Sequence, residues 1–163
     1  MPKLDAQFFK PFIDGTLSTL KVSCLTEAKP GKPFIKGSQK QPAFEIAAVI
    51  GLTSSGFIGN ITLCFTGDLY LQLMSRMLGE EFKELTHELQ DGAAELLNII
   101  FGHAKVVLNS QGHTIQKAIP TVIRGHALET THLGKQKLIV LPFTTDVGEF
   151  HIEIGAEETN GMG

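Results

Sequence analysis

Asp91, Glu95, Asn98, Gly102 and Lys105 follow one another at steps of four, three, four and three residues. In a helix that spacing puts all five on one face. Glu95 and Asn98 would then lie about 4.5 Å apart along the axis, at a rise of about 1.5 Å per residue. Their chemistry is complementary. A carboxylate attracts a cation, and a carboxamide accepts a hydrogen bond through its oxygen and donates through its nitrogen. Gly102, one turn on, leaves a gap where a partner's backbone can approach closely. An exposed polar face is also what an amphipathic helix needs in order to stay in water. Spacing alone therefore leaves both a site and a solvated surface open, although Asn is a mediocre helix former.

The element that must carry this face is the longest helix expected in the chain, Thr86 to Asn109. Leu89, Ala93, Leu96, Leu97, Ile100, Ala104 and Val107 form its apolar stripe. Thr86 is the expected N-cap, Glu88 sits in the first turn, and Asn109-Ser110-Gln111-Gly112 ends it. An earlier helix is read from Ala6 to Leu20, with Pro11 tolerated only near its start or at a kink. A third, capped by Asp68 and stopped by Gly79, lies between them. Alternating and apolar runs predict a hairpin on either side of a Thr53-Ser54-Ser55-Gly56 turn. One or two strands are expected around Pro120, and a second hairpin from Lys137 to Ile154 turning at Thr145-Asp146-Val147-Gly148. The Pro/Gly-rich AKPGKPF stretch reads as a loop, with Lys29, Lys32, Lys36 and Lys40 as solvated charges, and the final AEETNGMG reads as frayed.

The order helix, strands, helix, helix, strands suggests an internal duplication. An offset of 87 carries Gly15 onto Gly102 and Pro33 onto Pro120. The expectation is one domain over residues 1–163, with pseudo-repeats at about 6–66 and 86–155 joined by a helix at about 68–79. Its class is α/β, with helices on one face of a mostly antiparallel sheet.

Composition narrows the functional classes. The chain has 163 residues, 42% of them hydrophobic and 19% charged, a core-forming balance. A net charge of -3 argues against a general nucleic-acid binder. Cys24 and Cys64 are too few and too far apart for a disulfide scaffold or a zinc ribbon. No apolar run has the length of a signal peptide or a membrane span, so a cytoplasmic protein is expected. The six histidines, His87, His103, His113, His126, His132 and His151, give no HxxxH, and a pair such as His126 and His132 is a poor metal site. Cys64 reads as core, and no phosphate-cradling glycine motif is present.

The Asp91-x3-Glu95-x2-Asn98 pattern followed by Pro120 resembles the signature of the CheC/CheX/FliY class of chemotaxis phosphatases. Glu95 to Lys105 is similar to that family's catalytic helix, Met77-Leu78-Gly79-Glu80 to the end of its middle helix, and Pro120 to Gly125 to the strand that follows. The resemblance extends from about Gln7 to Glu153. One departure is a spacer of 21 residues (99–119) between Asn98 and Pro120, one fewer than the usual pattern. Subtracting 87 from Glu95 and Asn98 gives Phe8 and Pro11, so the first helix lacks the acid–amide pair. Carrying it once looks more like CheX than CheC.

The resemblance implies a CheC-like fold and hydrolysis of the aspartyl phosphate on a CheY-type response regulator, ending its signal. It implies Asn98 as the group positioning water and Glu95 as the anchor on the regulator's lysine. It also implies a homodimer, and no metal ligand or cofactor in this chain, with Mg²⁺ held by the regulator. Asp91, favoured by the helix dipole, Gly102 and Lys105 are given packing or surface roles. The alternatives are a non-catalytic adaptor of the same fold that binds a receiver, chemoreceptor or flagellar-switch component, and an inactive domain whose polar stripe is only surface.

Overall fold

The computed structural model describes residues 5–40, 42–54, 57–117, 119–128 and 138–158. The chain runs α1 (Ala6–Cys24), β1 (Lys29–Pro30), β2 (Phe34–Ile35), β3 (Phe44–Ser54) and β4 (Phe57–Phe65). It continues through α2 (Gly67–Leu78), α3 (His87–Ser110), β5 (Gln116–Lys117), β6 (Thr121–Leu128), β7 (Leu138–Thr145) and β8 (Gly148–Glu158). The described strands form one antiparallel sheet in the order β1-β7-β8-β4-β3-β5, with β2 added to β7 and β6 to β3.

Period-two alternation divides each central strand between two faces. Ile46, Ala48, Ile50 and Leu52 of β3, Ile61, Leu63 and Phe65 of β4, and Phe150, Ile152 and Ile154 of β8 all point to one side. There they meet Phe8, Phe12 and Leu20 of α1, Leu69, Tyr70 and Leu73 of α2, and Leu96, Leu97, Ile100 and Phe101 of α3 in one core. All three helices thus cover the same face, as the alternation of apolar residues predicts. On the opposite face, Phe44, Ala47 and Cys64 form a smaller cluster.

Several boundaries differ from the sequence reading, each for a local reason. Asp5 caps α1 by accepting from the N–H groups of Gln7 and Phe8. Pro11 lies five residues after the first helical one. The helix runs on to Cys24 until Leu25 adopts a left-handed conformation, φ 51°. Thr66, not Asp68, is the N-cap of α2. Its side chain makes no capping bond, and the carboxylate of Glu45 on β3 accepts from Gly67 N instead, at 3.2 Å. Thr53 and Ser54, expected in a turn, belong to β3, opposite Ile58 and Phe57, and the other two residues of that expected turn, Ser55 and Gly56, lie outside the described ones.

The Pro/Gly-rich stretch forms β1 and β2 on the edge of β7, where prolines are tolerated. Lys36 is not a solvated charge there. Its ammonium lies 3.3 Å from Glu153 Oε1, with a side chain only 23% exposed. Residues 156–158, expected to fray, extend β8 against Phe57–Gly59 of β4. Val107 is 42% exposed, while Phe101 and Leu108 complete the buried stripe of α3. His132 lies outside the described residues.

Candidate functional site

Helix α3 is fixed against its neighbours at three places. At the N-terminal end, the Tyr70 hydroxyl donates to the carbonyl of Leu89. Gly92 packs so closely on α2 that a Cβ there would fall 2.5 Å from Met74 Sδ and 2.8 Å from Tyr70 Oη. In the middle, α1 crosses at Gly15, where an added Cβ would lie 3.1 Å from both the Ile100 carbonyl oxygen and His103 Cβ. At the C-terminal end, Asn109 Oδ1 accepts from Ile115 N at 3.0 Å and draws the following chain back along the helix. Ala93, Leu96, Leu97, Ile100 and Ala104 bury the inner face completely.

The outer face of this anchored rod carries the predicted residues. Asp91, Glu95 and Gly102 are exposed, and Asn98 and Lys105 are half-buried. The stripe therefore forms one continuous surface, as the four-three-four-three spacing requires. A Cβ on Gly102 would meet nothing within 4 Å, so the helix backbone is open to approach at that turn. Pro120 precedes β6, which leans on α3's entry loop through Arg124 Nη1 donating to the Leu85 carbonyl at 2.9 Å.

One residue beside Asn98 has no counterpart in the sequence reading. Lys117, on β5, donates from Nζ to Asn98 Oδ1 at 2.5 Å. It is 19 residues away, and no periodicity links the two. The turn at Gln111-Gly112 and the register of Lys117 opposite Leu52 bring it there.

Among the described residues, three grooves lie away from this face. One of about 930 Å³ runs along α2 from Asp68 to Lys83. Another of about 550 Å³ lies between α1 and α3 beside Gly15 and His103. A third of about 300 Å³ lies under β1 and β2. None includes Glu95 or Asn98. An acid–amide pair on an exposed helix face, outside these three grooves, suits a macromolecular partner better than an enclosed small molecule.

The described residues also bring together Cys64, His151 and Glu153, whose ligand atoms lie within 4.8 Å of one another in the buried back of the sheet. The Lys36 ammonium already sits on Glu153, and His151 Nε2 is 3.1 Å from its other oxygen. Burial pushes the Cys64 thiol well above its ordinary range, with the Glu153 charge adding to the rise. With Lys36 on one of its oxygens and His151 on the other, the Glu153 carboxylate already has a cation and a ring nitrogen as partners, which makes the group a poor cation site.

Comparisons with known proteins show the family and the fold. The family model described as chemotaxis phosphatase CheX matches residues 46–144. The CheY-P phosphatase CheX of Thermotoga maritima is 26% identical over 153 residues, 93% of this chain and 97% of the relative. The crystal structure of a CheC-like superfamily protein from Shewanella sp. PV-4 superposes with a TM-score of 0.87 at 31% identity, covering 94% of this chain and 99% of that one. The chemotaxis protein CheX from Vibrio vulnificus gives a TM-score of 0.86 at 31% identity, covering 93% and 100%. The chain belongs to the chemotaxis phosphatase CheX family.

Proposed function

We propose that this chain ends chemotaxis signalling by hydrolysing the aspartyl phosphate of a CheY-type response regulator, with Asn98 and Glu95 of α3 as the working pair. The family match and the CheY-P phosphatase relative support the activity. The observation that carries the site assignment is the position of the pair, on the open face of a helix fixed at both ends and crossed in the middle.

An acyl phosphate is an activated group, so the catalyst's main task is to hold water in line with the bond that breaks. Asn98 suits this task. Its carboxamide oxygen accepts from the attacking water and its nitrogen donates toward the phosphoryl group. The water oxygen forms a new bond to phosphorus as the bond from phosphorus to the aspartyl oxygen breaks. The products are the regulator's free carboxylate and inorganic phosphate. Glu95, one turn earlier, pairs with a cationic lysine beside the regulator's phosphate and anchors the insertion of Asn98. The Mg²⁺ of the reaction belongs to the regulator's acidic residues, and this chain supplies none of its ligands.

The working form is a cytoplasmic homodimer. No described strand pairs the free edge of β6, which also carries Ile123 at 46% exposure, and such an edge can be covered by a second copy. The duplication of a helix-plus-strands unit across residues 6–66 and 86–155 remains part of this reading, supported by the matching order of elements.

The test is the lifetime of a phosphorylated CheY-type receiver with Mg²⁺, alone and with this protein or its Asn98→Ala variant. A lifetime shortened by the protein and not by the variant supports the reading. An equal effect of both removes Asn98 from the mechanism, and binding without any shortening favours an adaptor.

A further inference from the structure

Lysine is a hydrogen-bond donor only, so the carboxamide atom 2.5 Å from Lys117 Nζ must be the oxygen of Asn98. That contact does more than tie a strand to a helix. It fixes which way round the carboxamide stands, a choice that an unpartnered asparagine leaves open to a half-turn. With Oδ1 held, Nδ2 takes the other side of the amide plane. A carbonyl oxygen has two lone pairs, and one ammonium leaves the second free.

The Lys117 side chain is exposed, but the backbone that carries it is held. Its backbone sits in the ladder opposite Leu52, Ile115 two residues before it is buried at 1% exposure, and Asn109 at the end of α3 accepts from Ile115 N. The helix that carries Asn98 thus also anchors the strand that carries its partner. Among the described residues, the other charged groups of the stripe, Asp91, Glu95 and Lys105, make no hydrogen bond to the carboxamide, so its orientation rests on Lys117.

We propose that Lys117 is a positioning residue for Asn98: it holds Oδ1 by one lone pair, reserves the other for the attacking water, and keeps Nδ2 turned toward the phosphoryl group. This rests on Asn98 being the water-positioning group. Lys117 touches neither water nor phosphorus in this role. It acts on the probability that the carboxamide is correctly turned, and therefore on turnover and not on affinity for the regulator.

The experiment measures dephosphorylation of a receiver phosphorylated with acetyl phosphate, at several receiver concentrations, by the wild type, Lys117→Met, Lys117→Arg, Asn98→Ala and the Lys117→Met/Asn98→Ala double variant. Misplacing a catalytic group costs about tenfold or more. Lys117→Met should therefore lower kcat by about tenfold and leave KM within about twofold. Lys117→Arg, which keeps a donor, should restore most of it. In the Asn98→Ala background Lys117→Met should change nothing further, because there is no carboxamide left to orient. In the free protein, the Asn98 side-chain NH2 pair in a ¹⁵N spectrum should move in Lys117→Met and return toward its place in Lys117→Arg.

Three results overturn the inference while leaving Asn98 in its role. They are an unchanged kcat in Lys117→Met, a change in KM alone, and an equal loss with and without Asn98, which would put Lys117 on the substrate itself. Full activity of Asn98→Ala is a separate failure. It removes the site reading, and the inference with it.

Discussion

The hydroxyl of Tyr70 on α2 donates to the backbone carbonyl of Leu89, six residues before Glu95 on α3. Both groups are buried, and burial pushes the phenol well above its ordinary range, so it remains a donor at any physiological pH. The bond sets the position of the first turn of the functional helix against a neighbour in the same core. Tyr70→Phe keeps the ring packing on Phe65 and removes only the hydroxyl. A buried hydrogen bond contributes about 1 kcal/mol net. For a chain of this size that lowers Tm by about 2–4 °C. Thermal unfolding of the variant checks it, and receiver dephosphorylation should survive because Asn98 lies more than two turns from Leu89, beside the Gly15 crossing at Ile100 and His103 that still holds the helix.

Two glycines on the same helix should respond in opposite ways. At Gly92 a methyl group would collide with Met74 and Tyr70, so Gly92→Ala costs about 1–3 kcal/mol of overpacking, against a propensity gain of about 1 kcal/mol. At Gly102 the space is empty and only the propensity gain remains, so Gly102→Ala should raise Tm. If the regulator's backbone approaches at that turn, the same stabilised variant should dephosphorylate it with a higher KM. Denaturant unfolding and receiver kinetics on the two variants separate packing from contact.

How far the sequence could be read depended on the range of the forces involved. Helix α3 was legible from Thr86 onward because cap, apolar period and terminating glycine are all local, and Glu95 and Asn98 then follow on one face by geometry. The capping of α2 was misread because its acceptor, Glu45, comes from another strand. Lys36 was misread as solvated because its partner, Glu153, is 117 residues away. Lys117 was missed for the same reason. Its meeting with Asn98 depends on the β5 register against β3, which no local pattern encodes.

Arg76 grips Asp146 in the β7–β8 turn through two bonds, at 3.0 and 2.7 Å, and reaches Thr26 beyond α1 at 2.9 Å. The hydrogen bond from Arg76 holds the Asp146 carboxyl below its ordinary value of 3.8. A lowered folded-state pKa means the stabilisation is present above the unfolded value and is lost as pH falls through the folded one. Asp146→Asn should therefore lower Tm slightly at pH 7, with a difference that shrinks below about pH 3.8. Asp146 is well exposed, so the difference should also shrink in 1 M salt. A Tm gap independent of pH would remove the ion pair as its cause.

Cys24, buried at the end of α1, has its thiol raised to about 11 by desolvation, with Arg76 opposing the rise. A folded-state pKa above the unfolded one favours the fold at lower pH. That contribution is complete below about 9, the thiol's ordinary value, and fades as pH rises toward about 11. Since the thiolate is the nucleophile, Cys24 should resist a disulfide reagent in the native protein at pH 8 and react on unfolding. Rapid native labelling of Cys24 would contradict its placement.

Glu95 should act through charge, and its variants can be graded accordingly. It is exposed and makes no side-chain hydrogen bond or ion pair among the described residues, so its value lies in what docks on α3. A hydrogen bond to a charged group is worth about 1.5–3 kcal/mol. Each 1.4 kcal/mol is a factor of ten, so Glu95→Gln should raise the KM for the phosphorylated receiver by about tenfold or more. Glu95→Lys, facing a regulator lysine with like charge, should raise it further. The salt dependence discriminates. Wild-type KM should rise with ionic strength as screening weakens the pair, whereas the KM of Glu95→Gln should respond less. A Glu95→Gln variant with unchanged KM and unchanged salt response would place the anchor elsewhere on the helix and leave Asp91, one turn earlier, as the acid to examine.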